Sequence, residues 1–335
     1  MTGMVKFLKD WTLPIAMLAG AMGYFIFHKV EFLAPLKPAV WSFIDILTPL
    51  LIFAQLFLTF CKTDFSSFRL ARWHWKLIVF QCAASLLMAA VLIFLPLDEI
   101  YREVFEGAMV CLICPTATAA AVVTDKLGGS AARITVYTLM SNMLTAFFVP
   151  IVFPLVETHA GQDFLSAFLR ILSKVFPLLI CPFLLALVLK RVWPGAHAFF
   201  RNHSGAAFYI WGVALALVVG QTVRSLHNST APSLVLWLIA SGALVCCIVQ
   251  FWFGKRAGSV QDDSITSGQA LGQKNTVFAI WTAYTYLNPL SSLAPGTYVL
   301  WQNIFNSWQL WRKNHRRDKK IRTVSKIETD ETVFL

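Results

Sequence analysis

Apolar residues run along the chain in near-continuous stretches of about 20, each long enough as a helix to cross ~30 Å of hydrocarbon. Read in windows of that length, the sequence predicts ten spans: 12–28, 38–60, 75–96, 105–125, 132–155, 164–189, 205–225, 231–253, 265–287 and 291–311. Between them lie Pro35 and Pro38, Gly128 and Gly129, Pro194 and Gly195, and Asn288 with Pro289. Such residues end helices for steric and hydrogen-bonding reasons. The stretches do not alternate in the ten-residue segments of an outer-membrane barrel, and the joins are too short to hold a soluble domain. The expectation is an all-α polytopic membrane protein with a first five-span unit at 1–160, a second at 161–311 and a tail at 312–335.

Only 13% of the 335 residues are charged, against ~25% in soluble domains, which excludes a soluble enzyme on a single anchor. Lysine and arginine then orient the spans, because cytoplasmic loops retain positive charge during insertion. One side collects Lys6, Lys9, Lys62, Arg69, Arg72, Lys76, Lys126, Arg133, Lys190, Arg191, Arg201, Lys255, Arg256 and eight residues of the tail. The other has Lys29, Lys37, Arg102 and Arg224, and its loops are acidic at Asp98, Glu99, Glu103 and Glu106. Both termini are therefore expected in the cytoplasm, across a plasma (inner) membrane, which requires an even number of spans. The N-terminal run reads as a retained first span rather than a signal peptide, since its removal would break the charge alternation. The segment from Arg312 to Arg322, with seven basic residues against Asp318, serves as an orientation signal and suits contact with anionic lipid.

The seven cysteines lie within or at the ends of spans, and no histidine lies in a span interior. Cys111 and Cys114 have CxxC spacing, but a zinc site needs four converging ligands, so neither zinc nor disulfides are expected. There is no paired carboxylate, no nucleophile beside a histidine and no phosphate loop. The chain is accordingly read as neither an enzyme nor a nucleic-acid binder, and no cofactor is expected.

Polar groups inside hydrocarbon must find partners or line a cavity, and two spans concentrate them. Span four reads Cys111-Leu-Ile-Cys-Pro-Thr-Ala-Thr-Ala-Ala-Ala121, with Pro115 in mid-span deleting a helical hydrogen bond. Span nine reads Ser267-Gly-Gln-Ala-Leu-Gly-Gln-Lys-Asn-Thr276, which places Gln273, Lys274 and Asn275 deep in the bilayer. Each is fourth in its half. Interrupted helices at matching places mark inverted repeats, and their half-helix N-termini would present positive dipole ends to an anion near the midplane. Spans five and ten repeat the parallel with Thr138, Ser141 and Asn142 in one and Gln302, Asn303 and Asn306 in the other.

On these residues the sequence resembles the bile acid:sodium symporter family, within the bile acid, arsenite and riboflavin transporter superfamily. The resemblance covers nearly the whole membrane region. It rests on Cys114-Pro115 with Thr118-Ala119, Gly128-Gly129, Gly272 and Asn275, Asn288-Pro289, and Gln81, which is similar to a family glutamine of an ion site. It implies ten helices in two inverted repeats of five. A panel domain of spans 1, 2, 6 and 7 would face a core domain of spans 3, 4, 5, 8, 9 and 10, with substrate beside the crossing of spans four and nine. The departures concern sodium. Family ligands, a Ser-Asn pair in span four and a Glu and Gln before the span-nine Asn, correspond here to Ala120, Ala121, Ala270 and Lys274. An alanine side chain offers a hard cation nothing, and an ammonium ~4 Å from sodium would repel it by about 4 kcal/mol at an effective dielectric near 20.

The expectation is a secondary transporter of an organic anion, bile-acid-like or another carboxylate or sulfate. It would work by alternating access, independent of sodium, with Lys274 replacing a bound cation. Substrate contacts are expected from Pro115, Thr116, Thr118, Gln273, Lys274 and Asn275, supported by Gln81, Thr138, Ser141 and Asn142. Gain and loss of a proton at Lys274, or at Asp45 inside span two, would couple transport to the proton gradient. Alternatively Lys274 pairs with Asp45 or caps a broken helix. Arg170 and Lys174 near the outer end of span six either snorkel or draw anions in. The competing readings are sodium symport through rearranged ligands and a ligand-binding membrane sensor that does not transport.

Overall fold

The computed structural model of the protein describes residues 12–63, 69–157 and 163–332, and every regular element among them is helical. Lys6, Lys9 and the last three residues lie outside the described residues, as do the side chains beyond His315 to which the lipid contact was assigned. The helices are α1 (Thr12–Lys29), α2 (Lys37–Lys62), α3 (Arg72–Phe94), α4 (Glu99–Ile113), α5 (Ala120–Leu127), α6 (Ala131–Val156), α7 (Phe164–Val192), α8 (Pro194–Asn202), α9 (Ala206–Asn228), α10 (Ser233–Ser259), α11 (Ser264–Gly272), α12 (Thr276–Tyr286) and α13 (Leu293–Thr332). Short 3₁₀ turns at Glu31–Leu36 and Pro289–Ser292 lead into α2 and α13.

Among the described residues, six helices are long and apolar enough to cross a membrane: α2 with its leading turn, α3, α6, α7, α9 and α10. Leu18, Phe43, Leu50, Val79, Leu87, Trp237, Trp252 and Ile304 are exposed on the outer surface of the bundle. Water would penalise so much exposed apolar area, whereas hydrocarbon accepts it. The molecule is a multi-pass membrane protein.

The interrupted spans four and nine are each two half-helices, α4 with α5 and α11 with α12, separated by residues 114–119 and 273–275. Two boundaries differ from the sequence reading. Pro194, taken as a breaker, opens α8, since its missing N–H costs nothing in a first helical turn. The last helix runs past Trp311 to Thr332, so most of the basic tail continues α13.

Glu106, assigned to an outward acidic loop, is instead 1% exposed within α4. Arg102 holds it at 3.1 Å, and Ser291 donates to it at 2.7 Å from the turn before α13. A carboxylate in that position needs such partners, because burial without them costs far more than the pairing returns.

Helix contacts fall into two sets. α9 packs on α1 and α2, and α2 on α7; separately, α4 packs on α3 and α10, and α10 on α11 and α13, with α6 beside α3 and α11. Between the sets run α6 with α7 and α12 with α2 and α9. The largest buried cluster lies along that boundary, with Ile52 and Leu56 from α2, Val149 and Phe153 from α6, Val175 and Leu179 from α7, Val218 from α9, and Val277 and Phe278 from α12.

Close approach of α10 to α11 depends on Gly254 and Gly258, four residues apart on one helix face. A Cβ on Gly254 would meet the Ser267 carbonyl at 2.6 Å, and one on Gly258 would clash with the Ser267 hydroxyl. Small residues at this spacing let backbones pack directly. Gly258→Val is expected to lower folding stability by about 1–3 kcal/mol through overpacking, read as a fall in the melting temperature of the detergent-solubilised protein; an unchanged value would rule out tight packing at this seam.

Candidate functional site

Pro115 has no amide hydrogen, and the following residues Thr116 to Ala119 leave the helix. The second break sits between Gly272 and Thr276, where Asn275 takes the N-cap position of α12 and its Oδ1 accepts from the Phe278 amide at 3.3 Å. The two breaks pair as a short antiparallel bridge between Thr116 and Lys274. The Asn275 amide donates to the Pro115 carbonyl at 2.8 Å, and the Ala117 amide to the Gln273 carbonyl at 2.9 Å. Backbone groups that each helix loses are thus regained from the other chain segment, which hydrocarbon makes obligatory.

The remaining carbonyls are met by side chains. Lys274 is 1% exposed, and its ammonium donates to the Cys114 carbonyl at 2.9 Å and to the Leu112 carbonyl at 3.2 Å. It therefore sits at the C-terminal, negative end of α4, where a cation is favoured. The Gln81 amide donates to the Ile113 carbonyl at 2.8 Å and to that of Cys114 at 3.2 Å. Thr145 reaches Ile113 at 3.0 Å, and Gln250 reaches Cys111 at 3.2 Å. On the other break, the Thr116 hydroxyl donates to the Ala270 carbonyl at 2.6 Å, Tyr298 to Gly272 at 2.8 Å, and the Lys274 amide to Gln302 Oε1 at 2.9 Å.

The residues expected at the crossing thus occupy one place, although their chemistry differs from one to another. Ser141 accepts from the Thr116 amide at 3.2 Å and donates to Gln81 Oε1 at 3.3 Å, while Thr138 and Asn142 bond to carbonyls of their own helix. Thr118 is reached from α2 by Gln55 at 2.9 Å. Gln273 is buried with its Oε1 unpartnered among the described residues. Asp45 does not pair with Lys274: its carboxylate accepts from Gln221 at 2.9 Å on the facing helix α9, whereas the lysine is held at the end of α4. Arg170 and Lys174 are exposed on α7. All seven cysteines are free thiols.

The two half-helix N-termini are unequal. Ala119, just before α5, is exposed and Thr118 partly so, whereas Asn275 and Thr276 at the start of α12 are buried. The start of α5 is thus the more open of the two, although the Ala120, Val122 and Val123 amides there already donate to the Ala117 and Ala119 carbonyls; the dipole of a half-helix favours an anion at such an end.

Ala120 and Ala270 lie in an apolar cluster with Trp73, Leu77, Ile134, Tyr137 and Leu271, against which Ala121 also packs. The Tyr137 hydroxyl in this cluster is turned to Gln81 Oε1 at 3.2 Å, and the Ala270 carbonyl is taken by the Thr116 hydroxyl at 2.6 Å. These residues do not fit a sodium ion, which takes several oxygen ligands.

Sequence reasoning missed Gln55, Tyr137, Thr145, Gln250 and Tyr298. Gln55 and Gln250 stand as lone amides in apolar runs, a signal that was available; the others carry none. Lys274→Met is expected to cost about 1–3 kcal/mol of stability, because the Leu112 carbonyl is left buried without a donor. Lys274→Gln, which keeps a donor, should recover part of the loss. Both are read from denaturation of the purified protein, and a methionine variant as stable as the parent would show that the carbonyls find other partners.

A comparison with curated proteins gives no match. A model of the Sodium Bile acid symporter family matches residues 49–229, more than half of the 335 residues, from within α2 through α9 and including the first break but not the second. Taken with the apolar helices, that match places the chain in the Sodium Bile acid symporter family of membrane transporters.

Proposed function

We propose that this protein is a sodium-independent secondary transporter of an organic anion, with the ammonium of Lys274 serving as a built-in cation. The observation that carries the reading is the bonding of Lys274 to the Leu112 and Cys114 carbonyls beside a cluster in which Ala120 and Ala270 pack against Trp73, Leu77, Tyr137 and Leu271 and their methyl side chains offer an ion no oxygen. A symporter of this family would gain its crossing's positive charge from solution. Here the charge is covalently attached.

The helices are read as ten spans in two inverted repeats of five, the halves meeting between α6 and α7. α4 with α5 and α11 with α12 each count as one span. The set α1, α2, α7 and α9 acts as the panel, and the set α3 to α6 with α10 to α13 as the core. Both termini face the cytoplasm of a plasma membrane, with the basic end of α13 at the lipid surface.

The substrate anion binds at the exposed N-terminus of α5, beside Thr118, where the half-helix dipole replaces part of its hydration. Alternating access follows from rocking the panel against the core along the apolar boundary of α2, α7, α9 and α12, the interior bonding of the crossing being kept throughout. Because a fixed ammonium does not leave with the substrate, the substrate gradient drives facilitated transport or exchange. Release and recapture of a proton from Lys274 would add proton coupling.

The test is the melting temperature of the purified protein against organic anions, in sodium and in potassium buffers at two pH values, with counterflow in proteoliposomes. An anion at 100 times its Kd stabilises by about 2.7 kcal/mol, with the same shift expected in both salts. Lys274→Gln is expected to abolish that shift or make it depend on sodium. Stabilisation by sodium alone, in the parent protein, would overturn the built-in cation and point to conventional symport. Binding without counterflow would point to a membrane sensor.

A further inference from the structure

Four buried polar atoms on the panel side have no partner among the described residues: Thr48 Oγ1 and Gln55 Oε1 on α2, and Gln221 Oε1 and Ser225 Oγ on α9. Thr48 is 0%, Gln221 1% and Gln55 5% exposed. Thr48 and Gln55 are seven residues apart, two turns along one face of α2, and Gln221 and Ser225 are one turn apart on α9. The two helices pack on each other, and Asp45 joins them through Gln221. Folded proteins leave few such atoms, and each calls for an explanation.

Gln55 is the member of this group that touches the crossing. Its Nε2 donates to Thr118 Oγ1 at 2.9 Å, the side-chain hydrogen bond that joins α2 to the breaks among the described residues. With the amide nitrogen so engaged, the orphaned Oε1 lies beside the exposed start of α5. An amide oxygen accepts hydrogen bonds and repels another bare acceptor. A carboxylate or sulfate oxygen alone therefore leaves Oε1 unsatisfied, whereas a hydroxyl or N–H close to the anionic group satisfies it.

We infer that Gln55 is a specificity-determining residue that selects anions carrying a hydrogen-bond donor next to the charged group, as in a hydroxy acid or an N-acyl amino acid. This rests on the placement of the anion at the start of α5. The panel thus reads the neutral part of the head group while the core holds its charge. Discrimination of this kind is large, because the unmatched analogue leaves a buried polar group without a partner. When the panel moves, the Gln55–Thr118 bond is the one the substrate's donor and acceptor can replace, so the favoured substrate is also the one that compensates for parting the two domains.

The probes are matched pairs: 2-hydroxybutyrate with butyrate, and N-decanoylglycine with dodecanoate. Affinities come from melting-temperature shifts of the purified full-length protein. The parent protein is expected to favour the donor-bearing member of at least one pair by about tenfold or more. Gln55→Leu, similar in volume, is expected to reduce that preference to less than about threefold while still binding the donor-free member. Equal affinities in the parent protein overturn the proposal without any variant, so a variant that fails to fold does not shelter it. A preference that survives in Gln55→Leu overturns the assignment to Gln55. No shift with any anion overturns the anion site of the proposed function along with it, which distinguishes that failure from the other two.

Discussion

A helix that breaks inside a membrane leaves carbonyls and amides that no water will meet, and each orphan in hydrocarbon costs several kcal/mol. The centre of this molecule is organised around that constraint. Pro115 opens one break, Gly272 to Asn275 form the other, and the two repair each other through the Asn275–Pro115 and Ala117–Gln273 backbone bonds. The carbonyls still unmet recruit Lys274 from the second break, and Gln81, Thr145, Gln250 and Tyr298 from four further helices. Satisfying the backbone therefore also ties α3, α6, α10 and α13 to the crossing and makes that half of the bundle a unit.

The charge of Lys274 follows from the same requirement. Removing an ammonium from water is costly, and it is tolerated where converging dipoles replace hydration. The C-terminal end of α4 supplies two carbonyls within 3.2 Å. An ion held at that end by oxygen ligands would do the same electrostatic work, but would have to bind and leave; the lysine is always present. The contrast in the surroundings is consistent with this. Ala120 and Ala270 sit among Trp73, Leu77 and Leu271.

The boundary between the two helix sets has a different character. Its bulk is apolar, with Ile52, Leu56, Val175 and Val218 in contact with α6 and α12, and such surfaces slide without breaking specific bonds. Polar groups interrupt it at a few places, among them Gln55 against Thr118 and Gln221 against Asp45. The core is held by hydrogen bonds in fixed directions and the boundary by non-directional contact.

The sequence alone determined that the chain is helical and membrane-embedded, because hydrocarbon thickness fixes the length of apolar runs and insertion records itself in the placement of lysine and arginine. It also marked the two breaks, since Pro115 and the Gly272-Gln-Lys-Asn275 run are intolerable in a helix facing lipid. Only the tertiary structure decided which groups meet there. Whether Lys274 pairs with Asp45 or with the end of α4, whether Glu106 lies in a loop or in the core, and whether Gln55 faces the crossing depend on contacts between residues far apart in the chain. Gln55 and Thr118 are 63 positions apart, and Lys274 and Leu112 are 162. Periodicity and composition act over a few turns of helix, so they report which residues must find partners, and packing across the bundle selects the partners.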